Sequence, residues 1–262
     1  MALDIDRYAG NASALQRWDP RIKIFSLGVF AFCIALLDSI PLVMIGFLLA
    51  ATLVVMSRLP LHFVQHGLEF VLIFLIPFFI VLPLTIPGEA MFHVFGIAFA
   101  WEGLRLAVMI VFKAISVVMT TYAIFGTTRF DTAMIALQRL RCPTILVQMF
   151  LFTYRFIFVF VEEIKRKDTA MKSRGFEKRF DMRTLTTVGN FIGTLIIRSF
   201  ERTERVYKAM LSKGYTGEFH TLRVFQAETK DWIKAVLIIC IAVALTYVDV
   251  IEFFPIAQKA WY

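Results

Sequence analysis

The sequence is poor in the residues that build metal, redox and catalytic sites. Its three cysteines, Cys33, Cys142 and Cys240, lie far apart and match no metal-binding or redox spacing. His62 and His66 stand four residues apart, but no third ligand is near them in the sequence. There is also no glycine-rich loop ending in Gly-Lys-Ser/Thr that would cradle phosphates. These absences predict no disulfide framework, no metal site, no cofactor and no nucleotide site in this chain.

Charged residues are scarce as well. They make up 18% of the 262 residues, whereas 59% are apolar and the mean hydropathy is +0.72. A soluble domain is nearer to half apolar, so this composition is typical of a membrane protein. Residues 1–19 lack the apolar core of a secretory signal, and we therefore expect no cleaved leader.

The charge that is present is unevenly placed. Residues 126–231 hold 19 lysines and arginines against 11 acids, while the rest of the chain holds nine of each. Basic loops stay on the cytoplasmic side of membranes, so this segment is predicted to face the cytoplasm and the inner leaflet. It shows no pattern of a nucleic-acid-binding fold and is interleaved with apolar runs, so we expect no nucleic-acid partner.

Five apolar segments are predicted to cross the membrane as helices. They cover residues 22–37, 42–56, 68–86, 104–125 and 234–253. The third contains Pro77 and Pro83 and ends at Pro87, which predicts a kinked or broken helix because proline removes a backbone donor. A spanning segment must satisfy its backbone internally, and there is no barrel alternation. The predicted fold class is therefore an all-α polytopic membrane protein.

Two further apolar runs, residues 144–161 and 185–197, are predicted to stay in the cytoplasm. If both crossed, the segment between them would place eight basic residues outside. The second run would also reach only about 20 Å of a core of about 30 Å. We therefore expect transmembrane helices in residues 1–125, a cytoplasmic helical coupling domain in 126–233, and a last transmembrane helix with a short tail in 234–262. The amino terminus then lies inside. Six crossings are the alternative, if 144–161 spans and another segment re-enters.

One short pattern occurs twice in the predicted cytoplasmic domain. Residues 170–176 read Ala-Met-Lys-Ser-Arg-Gly-Phe, and residues 209–215, at an offset of 39, read Ala-Met-Leu-Ser-Lys-Gly-Tyr. At the same offset, Glu162 and Arg166 correspond to Glu201 and Arg205, and Glu-Arg pairs four residues apart stabilise exposed helix faces. Each copy is predicted to be a polar helix that ends in a small residue, a basic residue, glycine and an aromatic residue.

The doubled helix end has two interpretations. Glycine after a basic last turn is a common helix terminus, which explains part of the pattern. Capping by itself is not expected to require the shared Ala, Met, Ser and aromatic residues. A basic residue at a helix tip can instead enter an acidic groove and pair with a carboxylate. Two such tips suit a partner that is itself double.

These motifs resemble those of the transmembrane T component of energy-coupling factor (ECF) transporters. Ser173-Arg174-Gly175 fits the small-Arg-Gly signature of that family, and Ser212-Lys213-Gly214 departs from it at Lys213. Asp19-Pro20-Arg21-Ile22-Lys23 resembles the family's amino-terminal motif. Within the family the chain is most similar to the cobalt/nickel, CbiQ-like type, on the opening residues 5–9 and on 154–157 leading to Glu162-Glu163.

The resemblance implies a scaffold in the inner (plasma) membrane with no catalytic residue of its own. Two ABC-type ATPase subunits would hydrolyse ATP and bind the helix tips, and a substrate-binding membrane subunit would carry the cargo. That cargo would be cobalt or nickel, with a link to cobalamin biosynthesis, or vitamins if the scaffold is shared. The residues assigned to ATPase coupling are Ser173, Arg174, Gly175, Ser212, Lys213 and Gly214, and those assigned to supporting the coupling helices are Glu162, Arg166, Glu201 and Arg205.

Two rival classes are a membrane-embedded enzyme and a stand-alone secondary carrier. An enzyme would need clustered carboxylates or a His/Glu constellation, whereas the acids of the apolar segments are scattered. Lys113 lies near the middle of a predicted span, where a charge is a functional candidate. We expect it to form a structural ion pair or to snorkel, with Glu69 or Asp249 as candidate partners.

Overall fold

The computed structural model describes residues 13, 15–86, 90–94, 97–177, 179–217, 225 and 227–259, without the side chains of 90–99 and 252–259. The motif at residues 5–9 lies outside the described residues. The elements are α1 (Pro20–Leu36), α2 (Ile40–Ser57), α3 (Leu61–Leu75), α4 (Phe78–Thr85), β1 (Ala90–Val94), β2 (Ile97–Ala100), α5 (Trp101–Phe125), α6 (Phe130–Arg139), α7 (Thr144–Ser173), α8 (Met182–Ser212) and α9 (Thr229–Lys259). The two short strands form an antiparallel hairpin, and the architecture is otherwise helical.

The chain divides into two compact units. One holds residues 141–224, with α7 and α8, and the other holds residues 4–140 and 225–262, with the remaining elements. In the second unit α6 packs on α1, although the sequence analysis assigned residues 126–140 to the cytoplasmic domain. The functional division at residues 126 and 233 stays a prediction.

The protein is an all-α polytopic membrane protein. In the described part of the chain, five helices are long and apolar enough to cross a bilayer: Ile40–Ser57, Leu61–Thr85, Trp101–Phe125, Thr144–Ser173 and Thr229–Ile251. The count agrees with the prediction, but the set differs. Helix α1 has 17 residues and falls short of a straight crossing, while α7 joins the set because its first half is apolar. Counting both α1 and α7 gives six crossings, so the six-span alternative remains open.

The third predicted span is broken, as its prolines indicated. Helix α3 ends at Leu75, Ile76 and Pro77 form a turn, and α4 begins at Phe78. Pro77 has no N–H to continue the helical hydrogen bonds, so the break falls where that donor is missing. The two pieces together still form one apolar stretch, Leu61–Thr85, that is long enough to span.

Helix α1 is central to the larger unit. Its buried side chains Leu27, Phe30 and Ile34 contribute to two packed clusters, and α1 contacts α5, α6 and α9. A Cβ added at Gly46 would lie 3.2 Å from the Ile34 side chain, so the small residue on α2 leaves room for this buried side chain of α1. Close contact matters because van der Waals packing, rather than water exclusion, holds helices together in lipid.

A close approach between α4 and α5 yields a stability prediction. A Cβ at Gly103 would lie 2.5 Å from the Leu82 carbonyl oxygen and 2.5 Å from the Pro83 Cα, so Gly103→Ala must push backbone apart. We expect a loss of about 1–3 kcal/mol, measured as a lower midpoint of thermal unfolding in detergent. Gly28→Ala is the matched control, because a Cβ there meets nothing within 4 Å. Equal midpoints for the two variants would contradict this packing.

The unit formed by α7 and α8 has almost no buried core of its own. Among its described residues, α8 buries none, and α7 buries only Val147 and Gln148. The predicted apolar face of α8 is confirmed in part, since five of its seven members are half-buried: Val188, Leu195, Ser199, Val206 and Met210. Leu185 and Ile192 are exposed. Side chains on this unit therefore remain available for other surfaces.

The cytoplasmic placement of the end of α7 can be tested by labelling. Lys172 lies in the last turn of α7, and we expect a cysteine placed there to resist a membrane-impermeant reagent in intact cells, because the basic segment faces inward. Trp101→Cys, at the start of α5 on the predicted outer side, is the positive control. Labelling of Lys172→Cys as fast as Trp101→Cys would show that α7 crosses the membrane.

Candidate functional site

The first copy of the repeated pattern forms the carboxyl end of α7. The helix ends at Ser173, Arg174 is the C-cap, and Gly175 follows with a φ of 77°. The N–H of Phe176 donates to the carbonyl of Met171 at 3.1 Å, and the N–H of Gly175 donates to that of Lys172 at 3.0 Å. This pair of hydrogen bonds is the Schellman motif, which needs a residue that tolerates the left-handed region after the C-cap.

The second copy ends α8 in the same way. Lys213 is the C-cap, Gly214 has a φ of 81°, and the N–H of Tyr215 donates to the carbonyl of Met210 at 3.0 Å. The Schellman motif often brings the residues at the Met and aromatic positions into hydrophobic contact. The expectation that capping does not require the shared Met and aromatic residues stays a prediction. Capping accounts for most of the pattern, but it does not account for the basic side chain.

The two basic side chains are exposed at the ends of their helices. Neither Arg174 nor Lys213 forms a side-chain hydrogen bond or an ion pair with any residue that the structure describes. Both sit where the last carbonyl groups of the helix concentrate partial negative charge, which favours a cation. Each tip therefore presents a cation that is not committed to an intramolecular partner among those residues.

Helices α7 and α8 contact each other in antiparallel order. Near the start of α7, Gln148 bonds to Tyr215, which follows the end of α8. Further along α7, Lys167 Nζ lies 3.1 Å from Thr194 Oγ1, which is nearer the start of α8. Residue numbers thus increase along α7 while the numbers of the contacted residues on α8 decrease. Side chains make these contacts, because the helix backbones stay well apart.

A charged cluster lies between these two contacts. The carboxylate of Glu163 on α7 is 14% exposed and is 3.4 Å from Arg198 Nη1 and 3.4 Å from Arg202 Nη2 on α8. The guanidinium of Arg202 also lies over the ring of Phe160, at 5.8 Å from its centroid. One partly buried carboxylate therefore joins the two helices through two arginines.

The charged cluster also marks where the two copies of the repeat meet. Glu163 and Arg202 are 39 residues apart, which is the offset that relates the two copies of the pattern. When the two copies of a repeat lie on antiparallel helices, a local two-fold axis relates them. Equivalent positions face each other only where this axis crosses the helix pair, so the axis passes through the Glu163–Arg202 ion pair. Arg174 lies 11 residues beyond Glu163, and Lys213 lies 11 residues beyond Arg202. Each tip is therefore about 16 Å from the axis, and the tips are about 33 Å apart along the helices.

The pairs assigned to supporting the coupling helices behave unequally. Arg166 Nη2 lies 3.3 Å from Glu162 Oε2 on a fully solvated face, where such a pair contributes little stability. Glu201 and Arg205, at the same spacing, are not brought together, and α8 instead pairs Glu204 with Lys208 at 2.7 Å. The sequence analysis missed Glu163 as a contact residue. Its signal was the change from acid to base between positions 163 and 202 of the repeat.

The amino-terminal motif of the sequence analysis joins the starts of α1 and α9. Asp19 caps α1 by accepting from the backbone N–H of Arg21 at 2.9 Å, and its own N–H donates to Asp231 Oδ2 at 3.3 Å. The Trp18 indole N–H donates to the carbonyl of Asp231 at 3.2 Å. Lys23 is buried and bonds to Thr127 Oγ1 at 2.9 Å. The motif therefore holds the membrane helices in place.

The remaining candidates find local partners. The rings of His62 and His66 stack at 6.4 Å, and His66 Nδ1 lies 3.5 Å from Glu69. No group of three or more His, Cys, Asp and Glu residues that could hold a metal occurs in the described part of the chain. Lys113 Nζ pairs with Asp38 at 3.3 Å. The structural ion pair is confirmed, but the expected partners, Glu69 and Asp249, were wrong.

Comparison with known proteins adds independent findings. A family model described as CbiQ, cobalt transport protein, matches residues 11–222, which include α1 to α8 and both copies of the repeated pattern. The energy-coupling factor transporter transmembrane protein EcfT of Heliobacterium modesticaldum is 26% identical over 227 residues, covering 82% of this chain and 85% of that protein. EcfT of Exiguobacterium sibiricum is 28% identical, covering 93% and 97%. The cobalt transport protein CbiQ of Rhodobacter capsulatus is 29% identical, covering 48% and 52%.

Proposed function

The chain belongs to the CbiQ family of cobalt transport proteins, and from this premise we propose that it is the transmembrane T component of an ECF transporter. The observation that carries the proposal is the pair of basic helix tips arranged about a local two-fold axis. A dimer of ATPase subunits offers two equivalent grooves related by a two-fold axis. A scaffold with two such tips on one pair of antiparallel helices matches that symmetry.

The tips would act by electrostatics and position. Each exposed cation, at Arg174 and at Lys213, would enter an acidic groove of one ATPase subunit and pair with a carboxylate there. When ATP binding closes the two ATPases on each other, the grooves approach and carry the tips with them. Because the Glu163 cluster joins α7 and α8 midway between the tips, displacement at the tips turns the helices about that contact. The expected output is a movement of α7 and α8 against their neighbours.

The receiver of this movement would be a substrate-binding membrane subunit. Support comes from exposed apolar side chains of α8 that lie on or directly beside its half-buried face: Leu185, Ile192, Ile196 and Phe200 are 67%, 49%, 62% and 72% exposed. A stripe of this kind on a helix suits an apolar partner surface. ATP hydrolysis would take place in the ATPase subunits, so the chain itself needs no catalytic residue.

Cobalt or nickel ions are the proposed cargo, with a vitamin as the alternative for a scaffold shared among several substrate subunits. Cobalt is supported by the family description and by the name of the CbiQ relative, whereas nickel and the vitamin alternative rest on the family resemblance of the sequence motifs. The substrate subunit, rather than this chain, would bind the cargo. The cytoplasmic positions of the amino terminus and of the α7–α8 unit are part of the proposal, and the basic charge of residues 126–231 supports them.

Co-purification tests the proposal directly. The tagged full-length chain is extracted from its own membranes in mild detergent, and the proteins that accompany it are identified and assayed for ATP hydrolysis. We expect two ATPase subunits and a second membrane protein, and cells that lack this chain should lose uptake of radioactive cobalt or nickel. A well-folded preparation that carries no ATPase would contradict the proposal and favour a stand-alone carrier.

A further inference from the structure

The second helix tip is bonded back to the start of α7. The Tyr215 hydroxyl lies 2.8 Å from Gln148 Oε1 and 3.0 Å from the carbonyl oxygen of Gly217, and Gln148 Nε2 donates to that same carbonyl at 3.1 Å. Gln148 is 8% exposed, whereas Tyr215 is half-buried and Gly217 is exposed, so the two bonds to Gln148 are partly shielded from water and the Tyr215–Gly217 contact is open to it. Tyr215 follows Lys213 by two residues. The Tyr215 hydroxyl has one hydrogen, which it donates to Gln148 Oε1 or shares with the Gly217 carbonyl, so the three groups form a compact hydrogen-bonded cluster directly beside the basic tip.

The first tip lacks this connection. At the repeat offset of 39, Phe176 corresponds to Tyr215, and Thr187 corresponds to Gln148. Phenylalanine has no hydroxyl, and the Thr187 hydroxyl donates to the carbonyl of Arg183 within its own helix at 2.8 Å. The space beside the first tip is an open cavity of about 340 Å³, lined by Arg174, Phe176 and Thr187 among others. The local two-fold symmetry is thus broken at the tips.

We propose that Tyr215 is a positioning residue that holds the Lys213 tip in one place, which makes this tip the rigid end of the pair and the Arg174 tip the adaptable end. The proposal rests on the proposed function, since it concerns how the tips meet ATPase subunits. Lysine lacks the planar fork with which arginine binds a carboxylate. A tip held in its bound position loses less freedom on binding, and this preorganisation offsets the weaker donor.

Distance measurements between spin labels test the lock without any ATPase. The chain, with Cys33, Cys142 and Cys240 replaced by serine, is labelled in lipid nanodiscs at Thr153 and Leu211, which report on the second tip. Its repeat-equivalent pair, Ile192 and Lys172, reports on the first tip, and all four positions are exposed. We expect a narrower distance distribution at the second tip. Tyr215→Phe should broaden it to the width found at the first tip.

Matched variants separate the lock from general loosening. Tyr207→Phe makes the same chemical change on α8, where the hydroxyl has no partner among the described residues, and should leave both distributions unchanged. Gln148→Met should also broaden the second distribution, and the double variant should broaden it by less than the sum of the two single effects, because both substitutions remove the bond between Tyr215 and Gln148. An unchanged width in Tyr215→Phe would overturn the proposal.

Binding to the ATPase subunits that co-purify with the wild type tests the role of the lock in coupling. We expect Tyr215→Phe to raise the dissociation constant about fivefold, the size of one typical intramolecular hydrogen bond. Adding Lys213→Arg should restore the affinity for the ATPase subunits. The planar guanidinium of arginine can bind a carboxylate with two hydrogen bonds, which compensates for the lost preorganisation. Broadening with unchanged affinity, or without rescue by arginine, would overturn the positioning role. If the wild type binds no ATPase, the proposed function fails, and the label distances still decide whether the lock exists.

Discussion

Arg174→Glu is expected to abolish the capture of ATPase subunits and the uptake that depends on them. Arg174 is exposed at the end of α7, and its guanidinium would pair with a carboxylate in the partner groove. Removing one member of such a pair lowers affinity by about thirtyfold to several thousandfold, and reversing the charge adds repulsion. The measurements are the amount of ATPase retained in mild detergent and metal uptake by cells that carry the variant.

Lys213→Glu should act in the same direction with a smaller effect, since lysine contributes charge without the bidentate geometry of arginine. Arg166→Glu is the matched control for both variants. It reverses the same charge on an 82% exposed side chain of α7, eight residues before Arg174, and should retain ATPase binding. Wild-type uptake in both tip variants would remove the basis for the coupling role.

Glu163→Gln is expected to reduce uptake at least tenfold while ATPase capture is largely retained. The substitution leaves Arg198 and Arg202, one helical turn apart, without the carboxylate that joins them to α7. We expect the contact between the helices to weaken by about 1 kcal/mol, mostly through Arg202, because Arg198 is 64% exposed and water replaces its partner. Both tips remain intact, so the ATPase subunits would still bind and displace them. The displacement would not be transmitted from one helix to the other.

A charge exchange distinguishes this coupling role from a general loss of stability. Glu163→Arg together with Arg202→Glu gives each helix the residue that its repeat equivalent carries, and we expect uptake to recover partly. Glu162→Gln is the control, because within the described part of the chain this neighbouring carboxylate pairs with Arg166 alone, on an exposed face of α7. An exchanged variant no more active than Glu163→Arg alone would contradict a direct interaction.

Local features of this fold were accessible from the sequence. The break at Pro77 was predictable because the missing N–H of a proline interrupts the helix that contains it. The helix ends at Gly175 and Gly214 were predictable because the residue after the C-cap adopts the left-handed backbone region, which favours glycine. The family resemblance likewise followed from short motifs. Each of these inferences depends on residues that are close in the chain.

Contacts between helices were less accessible. Lys113 pairs with Asp38, in the turn between α1 and α2, because α1 is eight residues shorter than α5 and its end lies beside the middle of α5. The carboxylate of Asp249 does not pair with Lys113. It accepts hydrogen bonds from the backbone N–H groups of Asp38 and Ser39 at 2.8 and 2.9 Å. The offset of neighbouring helices along their axes decides which residues pair, and this offset cannot be read from sequence spacing.

Spacing within one helix was also an incomplete guide. Glu162–Arg166 and Glu201–Arg205 share the same separation, yet only the first pair forms. Exposed pairs contribute only about 0.3–0.5 kcal/mol, which is too little to hold a long side chain against competing positions. Glu163, which the spacing did not single out, has two arginines because tertiary contact shields its carboxylate from water.

The backbone construction of the two helix ends bears on how the family can evolve. All the hydrogen bonds that close the ends of α7 and α8 run between main-chain groups, and the side chains of Arg174 and Lys213 take no part in them. Mutation can therefore exchange one basic residue for another at either position without disturbing the cap, as the Lys213 departure illustrates. A single codon change there could retune partner choice while the scaffold is inherited intact, so we expect these two positions to diverge together with the grooves that they meet.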